Sequence, residues 1–78
     1  MREFTVSLRS VKDVQDFVGL ATNMGFPIEV EDGHHRVNGC SFMEMFCLDC
    51  TRPLTISASC ADDQFEAFLE AAARFLAE

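Results

Sequence analysis

Four places in this 78-residue chain hold side chains whose types and spacing could do chemistry. The first is Ser7-Leu8-Arg9-Ser10-Val11-Lys12-Asp13. A hydroxyl, an ammonium and a carboxylate follow one another within four residues there. S-x-x-D before an apolar periodic run is an N-cap signal, so Ser10 and Asp13 are expected at a helix start. The second is the pair His34-His35. It follows Asp32-Gly33, a tight-turn signal, which makes both histidines exposed hairpin residues. The third is the cysteine set, Cys40, Cys47, Cys50 and Cys60. Cys47-Leu48-Asp49-Cys50 has the spacing of a zinc or redox knuckle. A tetrahedral zinc site pairs two such knuckles, and here the other two cysteines stand alone. The set reads as reduced, partly buried thiols, with no metal and no cofactor. The fourth is Ser41 with Glu44, an S-x-x-E capping box at a second helix start.

These positions need elements to hold them. Phe4, Val6 and Leu8 alternate with Glu3, Thr5 and Ser7, which predicts a strand with one buried face. Val11, Val14, Phe17, Val18, Ala21 and Met24 recur at three and four, which predicts an amphipathic helix. Asn23 to Gly25 ends it, with Gly25 suited to a left-handed C′ position. Ile28 to Glu31 is a second strand and His34 to Gly39 the returning one. A short helix follows from Phe42 to about Leu48, and Arg52-Pro53 breaks it. In that helix Met45 and Leu48 face inward, so Phe42, Met43 and Phe46 project outward around Ser41. Leu54, Ile56 and Ala58 mark a fourth strand. The last helix runs from Asp62 to about Ala77, with Phe65, Phe68, Leu69, Ala72, Phe75 and Leu76 on its buried face and Asp62 and Asp63 at its positive end. The order is β-α-β-β-α-β-α. The class is α+β: one four-stranded antiparallel sheet, with the long helices on one face. The other face is left to water, where Thr5, Glu29, Glu31, Thr55 and Ser57 would lie.

Bulk composition narrows the function. Residues 1–78 make one domain, too short for two. Six Lys and Arg stand against 13 Asp and Glu, for a net charge of −7. Nucleic acid is excluded as a partner by like charge, and a cationic partner surface is favoured. No apolar run approaches the roughly 20 residues of a membrane span. The first residues lack the apolar core of a secretory signal, so the cytoplasm is the expected location.

The order, length and spacing resemble the HPr family, the histidine-containing phosphocarriers of the bacterial sugar phosphotransferase system. The resemblance covers nearly the whole chain and is clearest in "VNGCSFMEMFCLDCTRPLTIS", Val37 to Ser57, with "FVGLAT" and "IEVEDGHHRVNG" in support. It implies an open-faced β-sandwich with strand order 1-4-2-3. In that family a histidine at the first helix's N-terminus carries the phosphoryl group, in a G-[IL]-H-x-R-P setting. Helix amides and an arginine stabilise the phosphate. With Phe17 and Ser41 in register, Ser10 falls at the histidine position. Lys12 takes the arginine's place, Asp13 the proline's and Leu8 the glycine's. Lys12 keeps a positive charge, but the Asp13 carboxylate would occupy the amides and repel a phosphate. A phosphoserine at Ser10 would be a stable ester and a poor relay.

The resemblance also places Ser41 at the position that many members phosphorylate for regulation. It makes Phe42, Met43 and Phe46 the patch that docks partner proteins. A branch of the family lacks the histidine and keeps the serine. The resulting expectation is a non-enzymatic regulatory or protein-binding module in carbohydrate uptake or catabolite control. Its partners would be phosphotransferase-system proteins or a transcription regulator, and a weak homodimer could form through the patch or an edge strand. The alternatives are a working phosphocarrier with an unorthodox acceptor and a small cysteine-based metal-binding protein.

Overall fold

Period two in the apolar residues builds the sheet, and period 3.6 builds the layer over it. The computed structural model describes residues 2–48 and 51–76. Strand β1 is Arg2–Val6, helix α1 Val11–Met24, β2 Ile28–Glu31, β3 Arg36–Asn38, α2 Phe42–Met45, β4 Leu54–Ala58 and α3 Asp62–Ala71. A 3₁₀ turn, Ala73–Phe75, follows α3. The four strands form one sheet in the order β1-β4-β2-β3, with every neighbouring pair antiparallel. This is the expected α+β open-faced sandwich with strand order 1-4-2-3.

Alternation sorts the residues between the two faces. Val6, Ile28, Val30, Leu54, Ile56 and Ala58 are buried against the helices. Six of the eight phenylalanines tie helices to sheet. The Phe68 ring packs against Phe4 at 5.1 Å, Phe26 at 5.8 Å and Phe17 at 6.2 Å between centroids. Phe17 meets Phe75 edge-on at 5.8 Å, and Phe4 meets Phe65 at the same distance. Such pairs add about 0.5–1.5 kcal/mol each beyond their buried area.

The open face is polar and set in two rows. Glu3, Ser57, Glu29 and Asn38 are cross-strand neighbours, and so are Thr5, Thr55, Glu31 and Arg36. Arg36 donates from Nε at 3.2 Å and from a terminal nitrogen at 2.9 Å to the Glu31 carboxylate. That hydrogen bond, with the attraction of Glu31 and Glu29, pushes the Arg36 pKa above its ordinary value. Ser57, expected in water, is only 4% exposed. It sits mid-sheet under longer neighbours, and its hydroxyl donates to Glu3 at 3.2 Å.

Other expectations are corrected at element ends. β1 stops at Val6, yet Leu8 beyond it is buried. The returning strand is shorter than His34 to Gly39, because the Asp32 carboxylate gathers the amides of His34 and His35 into the turn. The last helix ends at Ala71, and Ala77 lies outside the described residues. The chain tightens at Ala73 and turns onto β1. Phe75 O accepts from the Ser7 amide at 2.7 Å, and Leu76 bridges to Val6. Leu76 is therefore 39% exposed instead of lining a helix face. Val11, placed on the buried stripe of α1, is 58% exposed. It lies in the first turn, where α1 faces a groove and no packed neighbour. Among the described residues no helix is long and apolar enough to cross a membrane.

Candidate functional site

The corner between β1 and α1 is built around a capped helix end. Ser10 has extended backbone, φ −147° and ψ 166°, and its hydroxyl accepts from the Asp13 amide at 3.2 Å. The Asp13 carboxylate in turn accepts from the Arg9 amide at 3.0 Å. A side-chain acceptor and a negative charge thus already serve the first turn of α1, where the helix dipole favours them. Ser10→Ala removes the cap. We expect a loss of about 1 kcal/mol, read as a drop of about 4–8 °C in a thermal melt for a domain this small.

No histidine reaches this corner. His34 and His35 lie on the β2–β3 hairpin, at the same end of the sheet. β4 stands between β1 and β2, so the hairpin and the corner are not neighbours in the sheet. The two side chains are exposed, and His35 Nδ1 lies 3.7 Å from the Asp32 carboxylate. Cys40, Cys47 and Cys60 are free thiols, with Cys47 exposed and the others half-buried. Asp49 and Cys50, half of the CxxC knuckle, lie outside the described residues. Among the described residues no three His, Cys, Asp or Glu side chains converge to hold a metal.

The second capped start is Ser41, whose hydroxyl accepts from the Glu44 amide at 3.4 Å. The reciprocal half of the expected capping box is different. Glu44 turns its carboxylate to the amide of Asn38, at 3.4 Å, and not to that of Ser41. α2 runs only to Met45, with a turn in place of the helix expected through Leu48. Met45 and Leu48 point inward as expected. Met43 is 79% exposed and Phe46 49% exposed. Phe42 is the correction in this group: it is half-buried, packing against the core's edge with its ring 4.5 Å from that of Phe46.

The first of these starts faces the turn after α2 across a groove. Leu8, Arg9, Ser10, Val11 and Val14 form one wall, and Phe46, Leu48 and Thr51 form the other. Its volume is about 540 Å³, it opens broadly to solvent, and its surface is mostly apolar. Ser10 at the start of α1 and Phe46 at the end of α2 therefore share one surface. Val11 and Phe46 are exposed on it, while Met43, also exposed, lies outside its lining. Arg9 lines the groove, Lys12 lies in the same first turn of α1, and neither makes an ion pair among the described residues. The sequence reading missed Arg9 and Val11. The signal was available at Val11, an apolar residue next to an N-cap, where nothing in the sequence says which element covers the first turn.

No family model matches this sequence, and no curated protein matches it. Among solved structures, the chain superposes on the crystal structure of HPr-C-His from Thermoanaerobacter tengcongensis with a TM-score of 0.72. The two are 23% identical over 90% of this chain and 89% of that one. The likeness covers the sheet, its crossed strand order and the helices laid over it, and it establishes that this chain has the HPr fold.

Proposed function

We propose that this chain is a protein-binding module on an HPr-like fold that works without phosphohistidine transfer. The observation that carries the reading is the apolar groove between the N-terminus of α1 and the turn after α2, lined in part by exposed Val11 and Phe46, with Met43 also exposed on α2. Exposed apolar residues grouped around a groove mark a docking surface. The HPr resemblance supplies the class of partner: a phosphotransferase-system protein or a transcription regulator of carbohydrate use. Arg9 and Lys12 favour an acidic rim on that partner. Against phosphoryl relay stands the chemistry of the corner. By the register of the resemblance Ser10 falls at the histidine position, and the Asp13 carboxylate, which accepts from the Arg9 amide, puts a negative charge in the first turn of α1 that would repel a phosphate. Ser41 is the candidate for regulatory phosphorylation. Its hydroxyl would take a phosphoryl group from a nucleoside triphosphate, losing its proton and releasing the diphosphate.

Two measurements test this. The purified chain is incubated with enzyme I of the phosphotransferase system and phosphoenolpyruvate, with an ordinary HPr as positive control. No acid-labile phosphate should appear on the chain, and its appearance would end the non-carrier reading. In parallel, binding to enzyme I and to sugar-pathway regulators is measured for wild type, Met43→Ser and Phe46→Ser. Each substitution should weaken a detected complex about tenfold or more, as loss of a central apolar anchor does. Unchanged affinity in both variants would remove the groove as the docking surface.

A further inference from the structure

Strand β3 is the outer strand of the sheet, and its exposed edge is held by side chains. Gly39 N–H bonds Ile28 O at 2.9 Å and Asp32 N–H bonds His35 O at 3.2 Å. By antiparallel alternation the amide and carbonyl of Asn38 therefore point away from β2. Both are taken. Asn38 O accepts from the Ser41 amide at 3.1 Å, and the Asn38 amide donates to Glu44 Oε1 at 3.4 Å. The Asn38 side chain accepts from the Cys40 amide at 2.9 Å. The Ser41 hydroxyl closes the cluster by accepting from the Glu44 amide at 3.4 Å. One carboxylate, Glu44, thus ties α2 to the sheet edge from a position three residues after Ser41.

We propose that Glu44 is a latch between α2 and the β3 edge, and that negative charge placed on Ser41 releases it. The inference rests on reading Ser41 as a regulatory residue. An anion at Ser41 would still accept from the Glu44 amide, so the cap itself survives. The Glu44 carboxylate would then face a like charge within the same turn, where such repulsion is strongest. Its bond to Asn38 is long and solvent-exposed, and nothing else holds the carboxylate among the described residues. The carboxylate swings out, the Asn38 amide is freed, and α2 keeps its cap while losing one of its two hydrogen bonds to the Asn38 backbone. The Met43–Phe46 face would then be loosened at its root with no change in the apolar residues themselves.

Amide hydrogen exchange on the isolated chain reads this directly. The variants are Ser41→Asp, Glu44→Gln and the double substitution. The Asn38 amide should exchange about twofold faster in Ser41→Asp than in wild type, the ratio that like-charge repulsion at this spacing supplies. The double variant should match Glu44→Gln, because a neutral amide oxygen, though a weaker acceptor, is not repelled by Asp at position 41. The Gly39 amide, bonded inward to Ile28, should be unchanged throughout and reports that the fold is intact. Asn38 exchange unchanged in Ser41→Asp would overturn the latch. So would equal acceleration in the double variant, which would mean general loosening. No partner is present in this experiment, so failure of the docking reading leaves its outcome unaffected.

Discussion

Phe68→Ala is expected to cost about 3–5 kcal/mol, the largest loss from any single truncation in this chain. Phe68 is fully buried at the centre of α3, and its ring touches rings from β1, from α1 and from Phe26 after α1. Alanine removes three aromatic contacts at once and leaves a void that the stiff sheet below cannot close. A domain of this size has a total stability of only about 5–10 kcal/mol. The variant should therefore unfold at a much lower urea concentration, with a population of unfolded chain already present in buffer. Phe46→Ala supplies the contrast. That ring is half exposed, so the same chemical change should leave the urea midpoint nearly in place. A Phe68→Ala midpoint within about 1 kcal/mol of wild type would mean that the ring cluster is not the centre of the core.

Gly39→Ala is expected to destabilise by about 1–3 kcal/mol although it adds a single methyl group. Gly39 does not need a left-handed backbone. What it needs is room. A Cβ there would lie 2.9 Å from Ile28 Cγ2 and 3.1 Å from Val30 Cγ2, both fully or almost fully buried branched side chains of β2. Branched residues have few rotamers to retreat into. The backbone cannot shift away without stretching the 2.9 Å bond from Gly39 N–H to Ile28 O. The strain falls on the joint where β3 hands over to Cys40 and Ser41, so the variant should also raise exchange at the Ser41 amide. Chemical denaturation against Gly19→Ala checks the effect. An added methyl at Gly19 meets open space inside α1, and better helix propensity should make that change neutral or stabilising.

Much of the architecture was legible because the apolar residues keep strict periods. Ile28 and Val30, or Leu54, Ile56 and Ala58, admit one burial pattern, and the observed faces follow it. The strand order came instead from the family resemblance, since period two says nothing about which strands are neighbours. Legibility failed where a residue's fate depends on something distant in sequence. Val11 fits the stripe of α1 but lies in a turn that nothing covers. Leu76 fits the stripe of the last helix but belongs to a segment that leaves the helix to reach β1. Glu44 has the right spacing for Ser41, yet finds a better-placed amide on Asn38. Gly39 carries no turn signal, and its necessity appears only when β2 is set beside it. The candidate site shows the same division. Ser10, Lys12 and Asp13 could be placed at a helix start from local pattern alone. That Leu8, Arg9 and Val11 share a groove with Phe46 and Thr51 follows from topology.

The crossed strand order has a consequence for how the site comes into being. β1 pairs with β4, Arg2 beside Ala58 and Val6 beside Leu54. Each of those contacts closes a loop of roughly fifty residues, the kind of long-range pairing that slows folding. The β2–β3 hairpin closes over a short turn and faces no such entropy cost. The Ser7–Ser10 segment hangs from the end of β1, so one wall of the groove is set by the strand whose pairing closes the longest loops in the sheet. The groove is thus absent from any partly folded chain in which only the hairpin and its helices have formed. Opening of β1 abolishes it while most of the sheet still stands. A protein that fills the groove therefore binds the fully closed sheet alone, and by mass action holds β1 shut.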